Sequence, residues 1–328
     1  MIVSKTPLRV SLFGGGTDYP LFFQEEPGRT ISFAISSFCY ISIQDHSPIL
    51  GYEYHLRYFQ TEKCNSVDEI KHPAIRAAFK AFNTRAVELV HKGDLPSRAG
   101  LGSSSSFSVG LLNLLNFRKE QTSLPPQELA QTAINFEQNI IGEAVGCQDQ
   151  IVAAYGGMLD VMYNPDQSFM VRQKPLTTAM TSFVSQNCIL CFTGSTRNAF
   201  EFAGRHISTI EKNRHHIREI KQLADIGGDL LRDFDKVSPS EIGALLSQQW
   251  AVKKALNPGV STDTVNEIYQ TALDNGAYGG KLLGAGGGGF ILFVVDEAKK
   301  NIIKEALRPL YTIDIQISAE GSVVAKAF

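Results

Sequence analysis

The sequence lacks both a charge surplus and a long apolar run, and each absence excludes a class of partner. Its 31 lysines and arginines nearly balance 33 aspartates and glutamates, which leaves a formal net charge of −2. Such a chain has no strong electrostatic attraction for nucleic acid or for an acidic membrane. No apolar stretch is long enough to cross a bilayer, and the first residues do not resemble a secretion signal. We therefore expect a soluble, cytoplasmic protein whose partners are small molecules.

Cysteine is scarce and is not arranged for disulfides or for a zinc site. The five cysteines are scattered and odd in number, which favours reduced thiols. Cys188 and Cys191 have the spacing of half a zinc site, but no second cysteine pair could complete four ligands. His215 and His216 are adjacent, a spacing that does not suit metal ligands. We therefore expect buried thiols rather than thiol chemistry.

The 328 residues exceed the usual size of one domain and 43% of them are hydrophobic, so we expect two domains with an extensive core. No internal repeat, low-complexity tract or flexible linker marks the boundary. Strand-like patterns dominate up to about residue 192, and charged amphipathic helical patterns follow. We predict that residues 30–43 form two strands broken near Ser36 and Ser37, and that residues 291–327 end the chain as a small α+β sandwich.

Residues 95–106 have the composition of a phosphate cradle. Gly100 and Gly102 flank one leucine and let the backbone approach a bulky anion, and four serines then lead into an apolar, helix-spaced run. The free N–H groups and the positive end of the helix dipole point at whatever the loop holds. A serine-capped helix after a glycine turn explains the same pattern, and the Lys-Ser/Thr ending of the common P-loop is absent.

Acidic residues stand at the ends of several predicted elements. The strand predicted over residues 2–13 contains Arg9, which needs a partner, and Asp18 follows on a turned loop after three glycines. Glu137 lies on a helix that begins near residue 125, and Asp149 opens a short helix. Each acid also has a plainer explanation. Asp18 could cap the next turn, Glu137 could be a solvated helix residue, and Asp149 could complement a helix dipole.

Residues 279–290 contain seven glycines, which suit neither a helix nor a strand interior. Such a segment is expected where the backbone turns tightly and passes close to another group. An apolar strand resumes at once after it.

Taken in order, three glycine-bearing motifs resemble those of the superfamily of galactokinase, homoserine kinase, mevalonate kinase and phosphomevalonate kinase, the GHMP kinases. The motifs are residues 7–19, 96–106 and 279–290, and the resemblance spans nearly the whole chain. It implies an α+β, two-domain GHMP kinase fold. The N-terminal nucleotide-binding domain, ribosomal protein S5 domain 2-like, would cover residues 1–180, and a ferredoxin-like α/β sandwich would cover residues 181–328.

Within the superfamily the chain is most similar to the D-glycero-D-manno-heptose 7-phosphate kinases, with fucokinase-like domains next. Residues 14–19, 146–157 and 193–197 carry this similarity. Galactokinases have Glu-His before Thr-Asp where this chain has Gly15 and Gly16, which argues against galactose.

The resemblance implies that the γ-phosphoryl group of ATP moves to the anomeric hydroxyl of a sugar or sugar phosphate. For heptose 7-phosphate the product would be the 1,7-bisphosphate, a glycan precursor. Two alternatives stay open: another substrate, such as fucose, an N-acetylhexosamine or a mevalonate-type alcohol, and a non-catalytic sensor that binds sugar and ATP. Homo-oligomerisation is open as well.

The resemblance also implies a role for each motif residue. Asp149 would accept the proton of the sugar hydroxyl or only orient it, with Arg9 beside it to stabilise the transferring charge. Mg²⁺ would be held by Glu137 with Ser103 or Ser104. The ATP phosphates would be bound by Pro96, Arg98, Ala99, Gly100, Leu101, Gly102, Ser103, Ser104, Ser105 and Ser106. The sugar would be bound by Gly15, Gly16, Thr17, Asp18, Gly286 and Gly287, and a phosphate on the substrate by Arg197, with Arg29 and Lys174 as alternatives.

Overall fold

Two β-sheets organise the part of the chain that the computed structural model describes, residues 1–196, 213–256 and 258–327. Arg197 lies outside these ranges. The strands are β1 (Ile2–Phe13), β2 (Gly28–Asp45), β3 (Tyr54–Arg57), β4 (Thr61–Cys64), β5 (Val87–Gly93), β6 (Met158–Tyr163), β7 (Phe169–Lys174), β8 (Cys188–Phe192), β9 (Ala277–Leu282), β10 (Phe290–Val295), β11 (Thr312–Asp314) and β12 (Val323–Lys326). The first sheet has the order β12-β1-β2-β5-β3-β4, with β6 beside β2 and β7 beside β6, and the second has the order β11-β8-β10-β9.

Helices cover both sheets. They are α1 (Pro20–Phe23), α2 (Pro73–Ala81), α3 (Ser103–Glu120), α4 (Pro126–Asn135), α5 (Gln148–Tyr155), α6 (Thr178–Ser182), α7 (Arg214–Leu230), α8 (Pro239–Leu256), α9 (Asp263–Asp274) and α10 (Lys300–Ala306). Tight 3₁₀ turns lie at Pro48–Leu50, Val67–Glu69, Leu231–Lys236, Pro258–Val260 and Glu297–Lys299, and wider π turns lie at Phe136–Ile141 and Phe183–Asn187. Within the described ranges, no helix combines the length and the apolar character needed to cross a bilayer.

Four apolar clusters fill the layers between these elements, and the smallest lies between α1, α7 and the end of α8. One lies between the first sheet and helices α2 to α5. A second is shared by the two sheets together with α7 and α8, and a third lies between the second sheet and helices α8 to α10. All five cysteines are buried free thiols, as expected, and burial raises the pKa of both Cys188 and Cys191 to about 12. Because the two sheets share a core, the two halves of the chain form one continuous packed body.

The pleat of β1 sorts its side chains onto two faces. Leu8, Val10 and Leu12 are buried in the cluster that the two sheets share. Arg9 and Ser11 point to the opposite face, because successive residues of a strand alternate. The strand therefore supplies core contacts and a polar face from adjacent positions.

The prediction of two strands over residues 30–43 is wrong, because β2 runs unbroken from residue 28 to residue 45. Its register against β1 shifts between Leu8, which pairs with Ile35, and Pro7, which pairs with Phe38. The extra residues, Ser36 among them, form a bulge, and a bulge bends a strand without ending it.

The end of the chain also differs from the prediction of a closing sandwich. β11 pairs with β8 in the second sheet, but β12 pairs with β1 of the first sheet. The chain crosses between the sheets by passing Gly156, and a Cβ on Gly321 would lie only 2.1 Å from the Ala154 carbonyl oxygen. The free edge of β1 offers unpaired backbone groups, which β12 satisfies. The division at residue 180 stays a prediction; of the described strands beyond it, β12 alone belongs to the first sheet.

A buried ion pair joins β2 to β6 and to α7. Arg29 donates from Nε and Nη2 to the two oxygens of Asp160, both at 2.8 Å, and Nη1 lies 3.3 Å from Asp225 on α7. Lys174 Nζ lies 3.7 Å from the same Asp160 carboxylate. Arg29 and Lys174 were candidates for a phosphate on the substrate, but both are engaged with Asp160 and neither lines the cavity described below.

We expect Asp160→Asn to lower the free energy of unfolding by about 3–5 kcal/mol, because it removes the bidentate, buried partner of the Arg29 guanidinium and leaves it the longer contact with the partly exposed Asp225. Urea unfolding followed by circular dichroism measures this loss. Asp229→Asn is the matched control, since Asp229 pairs with Arg232 on the exposed surface and its loss should have no measurable effect. Equal stability of the two variants would show that the buried pair does not hold these elements together.

Candidate functional site

A cavity of about 260 Å³ lies where the two halves of the chain meet. The first half contributes β1, the glycine loop after it, the turn before α3 and the first turn of α5. The second half contributes α8, the end of β9 and the loop that follows it. All three glycine-bearing motifs therefore reach one concave site, the usual setting for binding a small molecule.

Arg9 and Asp149 form a bidentate ion pair in this cavity. Arg9 donates from Nε to Asp149 Oδ1 at 2.7 Å and from Nη2 to Oδ2 at 2.6 Å. Its remaining nitrogen, Nη1, donates to the Gly100 carbonyl oxygen at 2.5 Å, and its backbone N–H donates to the Leu101 carbonyl oxygen at 3.0 Å. The Asp149 side chain is 27% exposed, so a ligand in the cavity can reach it. The arginine that needed a partner has one.

Gly102 lets the turn lie directly against this ion pair. Its φ of +72° is in the left-handed region, and a Cβ there would lie 3.0 Å from Arg9 Cγ and 3.3 Å from Asp149 Oδ2. A side chain at this position would therefore be strained and would crowd the carboxylate. Ser103, the first residue of α3, follows at once, so the helix begins beside Asp149.

The four serines of the turn point in different directions because successive residues of a helix are rotated by about 100°. Ser103 and Ser104 line the cavity, and the Ser103 hydroxyl accepts a hydrogen bond from the backbone N–H of Arg98 at 3.2 Å. Ser105 also lines the cavity and donates from its hydroxyl to Glu137, whereas Ser103 and Ser104, the serines expected to share Mg²⁺ with Glu137, have no hydrogen bond to it among the described residues. Ser106 turns away and donates to a backbone carbonyl of β1.

Glu137 lies behind Ser105 and is 1% exposed. It stands on the wide π turn that follows α4, and its Oε2 accepts hydrogen bonds from Ser105 Oγ at 2.9 Å and from Gln150 Nε2 at 2.5 Å. Its other oxygen, Oε1, makes no hydrogen bond of good geometry among the described residues, although the nearby Ser108 hydroxyl still acts to lower the pKa of this carboxyl. Burial raises the pKa of Glu137 to about 7. The plainer explanation, a solvated helix residue, is wrong.

The carboxylate of Asp18 contacts the first residue of α5 rather than capping the turn that follows Asp18 in sequence. Its carboxylate accepts the backbone N–H of Gly16 at 2.9 Å and that of Gln148 at 3.2 Å. Burial is the main cause of a raised pKa for Asp18. A Cβ on Gly146 would lie 2.0 Å from Asp18 Oδ2, so only glycine fits beside this carboxylate. Asp18 also lines the cavity with Gly15 and Gly16.

Several residues that were expected to contact ligands support the loops instead. The Thr17 hydroxyl donates to the Gly14 carbonyl oxygen at 2.8 Å and accepts the backbone N–H of Arg29 at 3.0 Å, which holds the first loop closed. By contrast, the exposed residue Arg98 lines the cavity, as expected for a phosphate-binding residue. The expected phosphate-binding residues outside the cavity lining are Pro96, Ala99, Leu101 and Ser106.

The third motif reaches the cavity through Gly284 and Ala285, and not through the expected Gly286 and Gly287. Gly287 donates from its backbone N–H to the Val260 carbonyl oxygen at 2.9 Å, and a Cβ on Gly286 would lie 2.9 Å from Val260 Cα. Further along, Phe290 donates to the carbonyl oxygen of Ala99. The motif therefore backs the cradle, while its central glycines pack against the chain after α8.

Lys281 on β9 is a cavity residue that sequence reasoning missed. It is 3% exposed, and its Nζ donates to the Leu12 carbonyl oxygen at 2.7 Å. Burial, together with the positive charges of Lys253 and Arg9, lowers the pKa of Lys281 well below its ordinary value. The sequence feature that could have singled out Lys281 is that it is the single charged residue in the glycine-rich segment 279–290.

α8 contributes two further side chains that were not expected. Lys253 donates from Nζ to the Leu282 carbonyl oxygen at 3.1 Å and also to that of Gly284. Gln249, one helical turn earlier, accepts the backbone N–H of Gly14 at 3.2 Å. Both residues line the cavity. In the sequence they belong to an ordinary amphipathic helix, which gave no reason to single them out.

A metal ion at this site would have to rely on few protein ligands. The described residues contain no cluster of three or more histidines, cysteines, aspartates or glutamates that could hold one. Mg²⁺ is commonly bound by one or two protein oxygens, with water and substrate phosphates completing its shell. The unpartnered, buried Oε1 of Glu137 and the hydroxyl of Ser105 are oxygen donors of the type that Mg²⁺ prefers, so this pair fits the ion.

Comparison with known proteins agrees with the motifs. The chain matches the model of the GHMP kinases N terminal domain over residues 69–157 and that of the GHMP kinases C terminal over residues 230–312. A D-glycero-alpha-D-manno-heptose 7-phosphate kinase of Campylobacter jejuni is 30% identical, over 98% of this chain and 97% of its own length. A galactokinase of Pyrococcus furiosus is 25% identical, over 98% of this chain and 97% of its own.

A solved structure shares the whole fold. It is a D-glycero-D-manno-heptose 1-phosphate kinase from Bacteroides thetaiotaomicron, which superimposes with a TM-score of 0.80 at 21% identity and covers 100% of both chains. This likeness confirms the predicted α+β, two-domain architecture. With a 30% identical relative matched over nearly its full length, the chain belongs to the GHMP kinase family.

Proposed function

We propose that the chain is an ATP-dependent sugar kinase that phosphorylates the anomeric hydroxyl of a sugar phosphate, D-glycero-D-manno-heptose 7-phosphate, to give the 1,7-bisphosphate for glycan precursor synthesis. The observation that carries this proposal is the bidentate Arg9–Asp149 pair against the Gly100–Gly102 turn at the start of α3. A carboxylate, a guanidinium and free backbone N–H groups at a helix start are together the groups that phosphoryl transfer to an alcohol requires.

The start of α3 would hold the phosphates of ATP. Its first backbone N–H groups have no partner within the helix, and the helix dipole places positive charge at the same end. The hydroxyls of Ser103 and Ser104 and the side chain of Arg98 line the same part of the cavity. Glu137 and Ser105 would hold Mg²⁺, which would neutralise charge on the phosphates of the bound nucleotide.

Asp149 would hold the sugar hydroxyl in line with the γ-phosphorus. In the proposed step a bond forms between the sugar oxygen and the γ-phosphorus, the bond from that phosphorus to the β-phosphate oxygen breaks, and ADP leaves. The hydroxyl proton passes to Asp149, and Arg9 places a positive charge beside the transferring group. Asp18 would accept hydrogen bonds from the sugar, and Gly15 and Gly16 leave room beside it.

The substrate is tested by measuring ADP release with ATP and Mg²⁺ against a panel of acceptors. The panel contains heptose 7-phosphate, heptose, fucose, galactose, an N-acetylhexosamine and mevalonate. We expect heptose 7-phosphate to give the highest kcat/KM and a product with phosphates on C1 and C7 by NMR. Binding of ATP and sugar without ADP release from any acceptor would instead support a sensor.

We expect Asp149→Asn to lower kcat by about a hundredfold or more with little change in the affinity for ATP, because the hydroxyl loses the group that orients it. Steady-state kinetics and equilibrium binding of ATP measure the two effects. Asp263→Asn is the matched control, since Asp263 also stands in the first turn of a helix but does not line the cavity. If both variants keep the wild-type rate, Asp149 only complements a helix dipole.

We expect the metal-free protein to lose stability as the pH rises from about 4.5 to about 7. The folded state raises the pKa of Glu137 from 4.5 to about 7, so it binds the proton more tightly than the unfolded chain does over this window. The loss amounts to up to about 3 kcal/mol. Glu137→Gln removes this pH-dependent loss of stability. In EDTA, the stability of the variant relative to that of the wild type should therefore rise between pH 5 and pH 8.

Thermal unfolding of both proteins at the two pH values measures this difference. Exposed Glu128→Gln is the control and should follow the wild type. Added Mg²⁺ with an ATP analogue should raise the melting temperature of the wild type at pH 8 and raise that of Glu137→Gln much less. If the melting temperatures of the wild type and of Glu137→Gln change with pH in parallel, the Glu137 carboxylate does not cause the pH dependence of stability.

A further inference from the structure

Four polar residues of the cavity lining have no part in the proposed chemistry. They are Ser11 of β1, Gln249 and Lys253 of α8, and Lys281 of β9, and we call this set the lysine wall. Arg9 belongs to the reacting centre, whereas Lys281 binds the carbonyl of Leu12, three residues further along β1. At the rise of a strand this is about 10 Å further, next to the glycine loop proposed to face the sugar.

Lys281 is a buried amine in the wall whose protonated form is disfavoured unless an anion lies beside it. The Leu12 carbonyl uses one of the three donors of an ammonium group. The charges that act on Lys281, those of Lys253 and Arg9, are both positive, and within residues 1–196, 213–256 and 258–327 no carboxylate pairs with it. Burying an ammonium group without an anion is costly. An anion entering this end of the cavity would offset that cost.

Ser11 is a second, independent observation that points to a ligand at this end of the cavity. It is 5% exposed, lines the cavity, and its Oγ has no hydrogen-bond partner among the described residues. Gly15, on the neighbouring loop, leaves the hydroxyl open to the cavity, since a Cβ there would lie 3.4 Å from the oxygen. Gln249 binds the loop through its carbonyl oxygen, so its amide nitrogen remains as a further donor.

We propose that Lys281, Lys253 and Ser11 bind the phosphate that the sugar substrate already carries, and that they thereby make the enzyme select a sugar phosphate over the free sugar. This inference rests on the proposed function, because it assigns the far end of that substrate. Two lysines and a hydroxyl are donors that suit a dianionic phosphate. The reacting hydroxyl and the existing phosphate of a heptose 7-phosphate lie at opposite ends of its carbon chain, so the phosphate needs donors other than the Arg9–Asp149 pair, and the lysine wall lines the same cavity.

The test compares heptose 7-phosphate with free heptose as acceptors for the wild type and for Lys281→Met, Lys253→Met and Ser11→Ala. We expect the lysine variants to lower kcat/KM for heptose 7-phosphate by about 10- to 100-fold and Ser11→Ala to lower it several-fold. With free heptose the same variants should change kcat/KM less than threefold, and KM for ATP should not change. Calorimetric binding of heptose 7-phosphate without ATP should weaken in parallel with kcat/KM.

Lys254→Met is the matched control, because Lys254 is exposed on the same helix and its Nζ lies 5.8 Å from the centre of the Trp250 ring. Ser11→Ala keeps the test usable if loss of a buried lysine prevents folding, which circular dichroism would show. An equal loss with both acceptors would overturn the inference and assign the wall to ATP or to the transferring group. Unchanged kinetics in all three variants would also overturn it. If the wild type phosphorylates no sugar at all, the proposed function itself fails.

Discussion

The guanidinium of Arg9 donates to both oxygens of Asp149 and to the carbonyl of Gly100, so one side chain joins a strand, a turn and a helix. The backbone of the same residue donates to Leu101. Because a bidentate pair requires both groups to be coplanar and close, a shift of any of the three elements would break it. The left-handed backbone of Gly102 makes the close approach sterically feasible.

Three carboxylates of the site have three different environments, and these environments separate their roles. Asp149 faces a guanidinium and remains partly exposed. Asp18 is buried, but backbone N–H groups of two loops satisfy it. Glu137 is buried with one oxygen unpartnered, which suits a carboxylate that awaits a cation. The same type of side chain can therefore orient a hydroxyl, hold a loop and ligate a metal within one cavity.

Local patterns in the sequence were enough to predict most elements and to show that Arg9 needs a partner, because alternation and glycine turns act over a few residues. Asp149 was selected by the resemblance of its motif to that of the GHMP kinases. What local patterns could not supply depends on distant contacts. Ser105 meets Glu137 because α3 packs beside the π turn that follows α4. β12 joins the first sheet because the edge of β1 is free. Lys281 lies in the cavity because its side chain reaches the Leu12 carbonyl of β1. Contacts of this kind can be identified only in the folded chain.

The wide π turn Phe136–Ile141 has one more residue between bonded backbone groups than an α-helix has. Deleting a residue there would restore the tighter bonding pattern and rotate the following chain by about 100° relative to α4. Gln150 of α5 would then no longer face Glu137. At this point the number of residues, more than their identity, keeps Glu137 aligned with α5, the helix that also carries Asp149, so we expect a change of length here to disturb the site more than a substitution would.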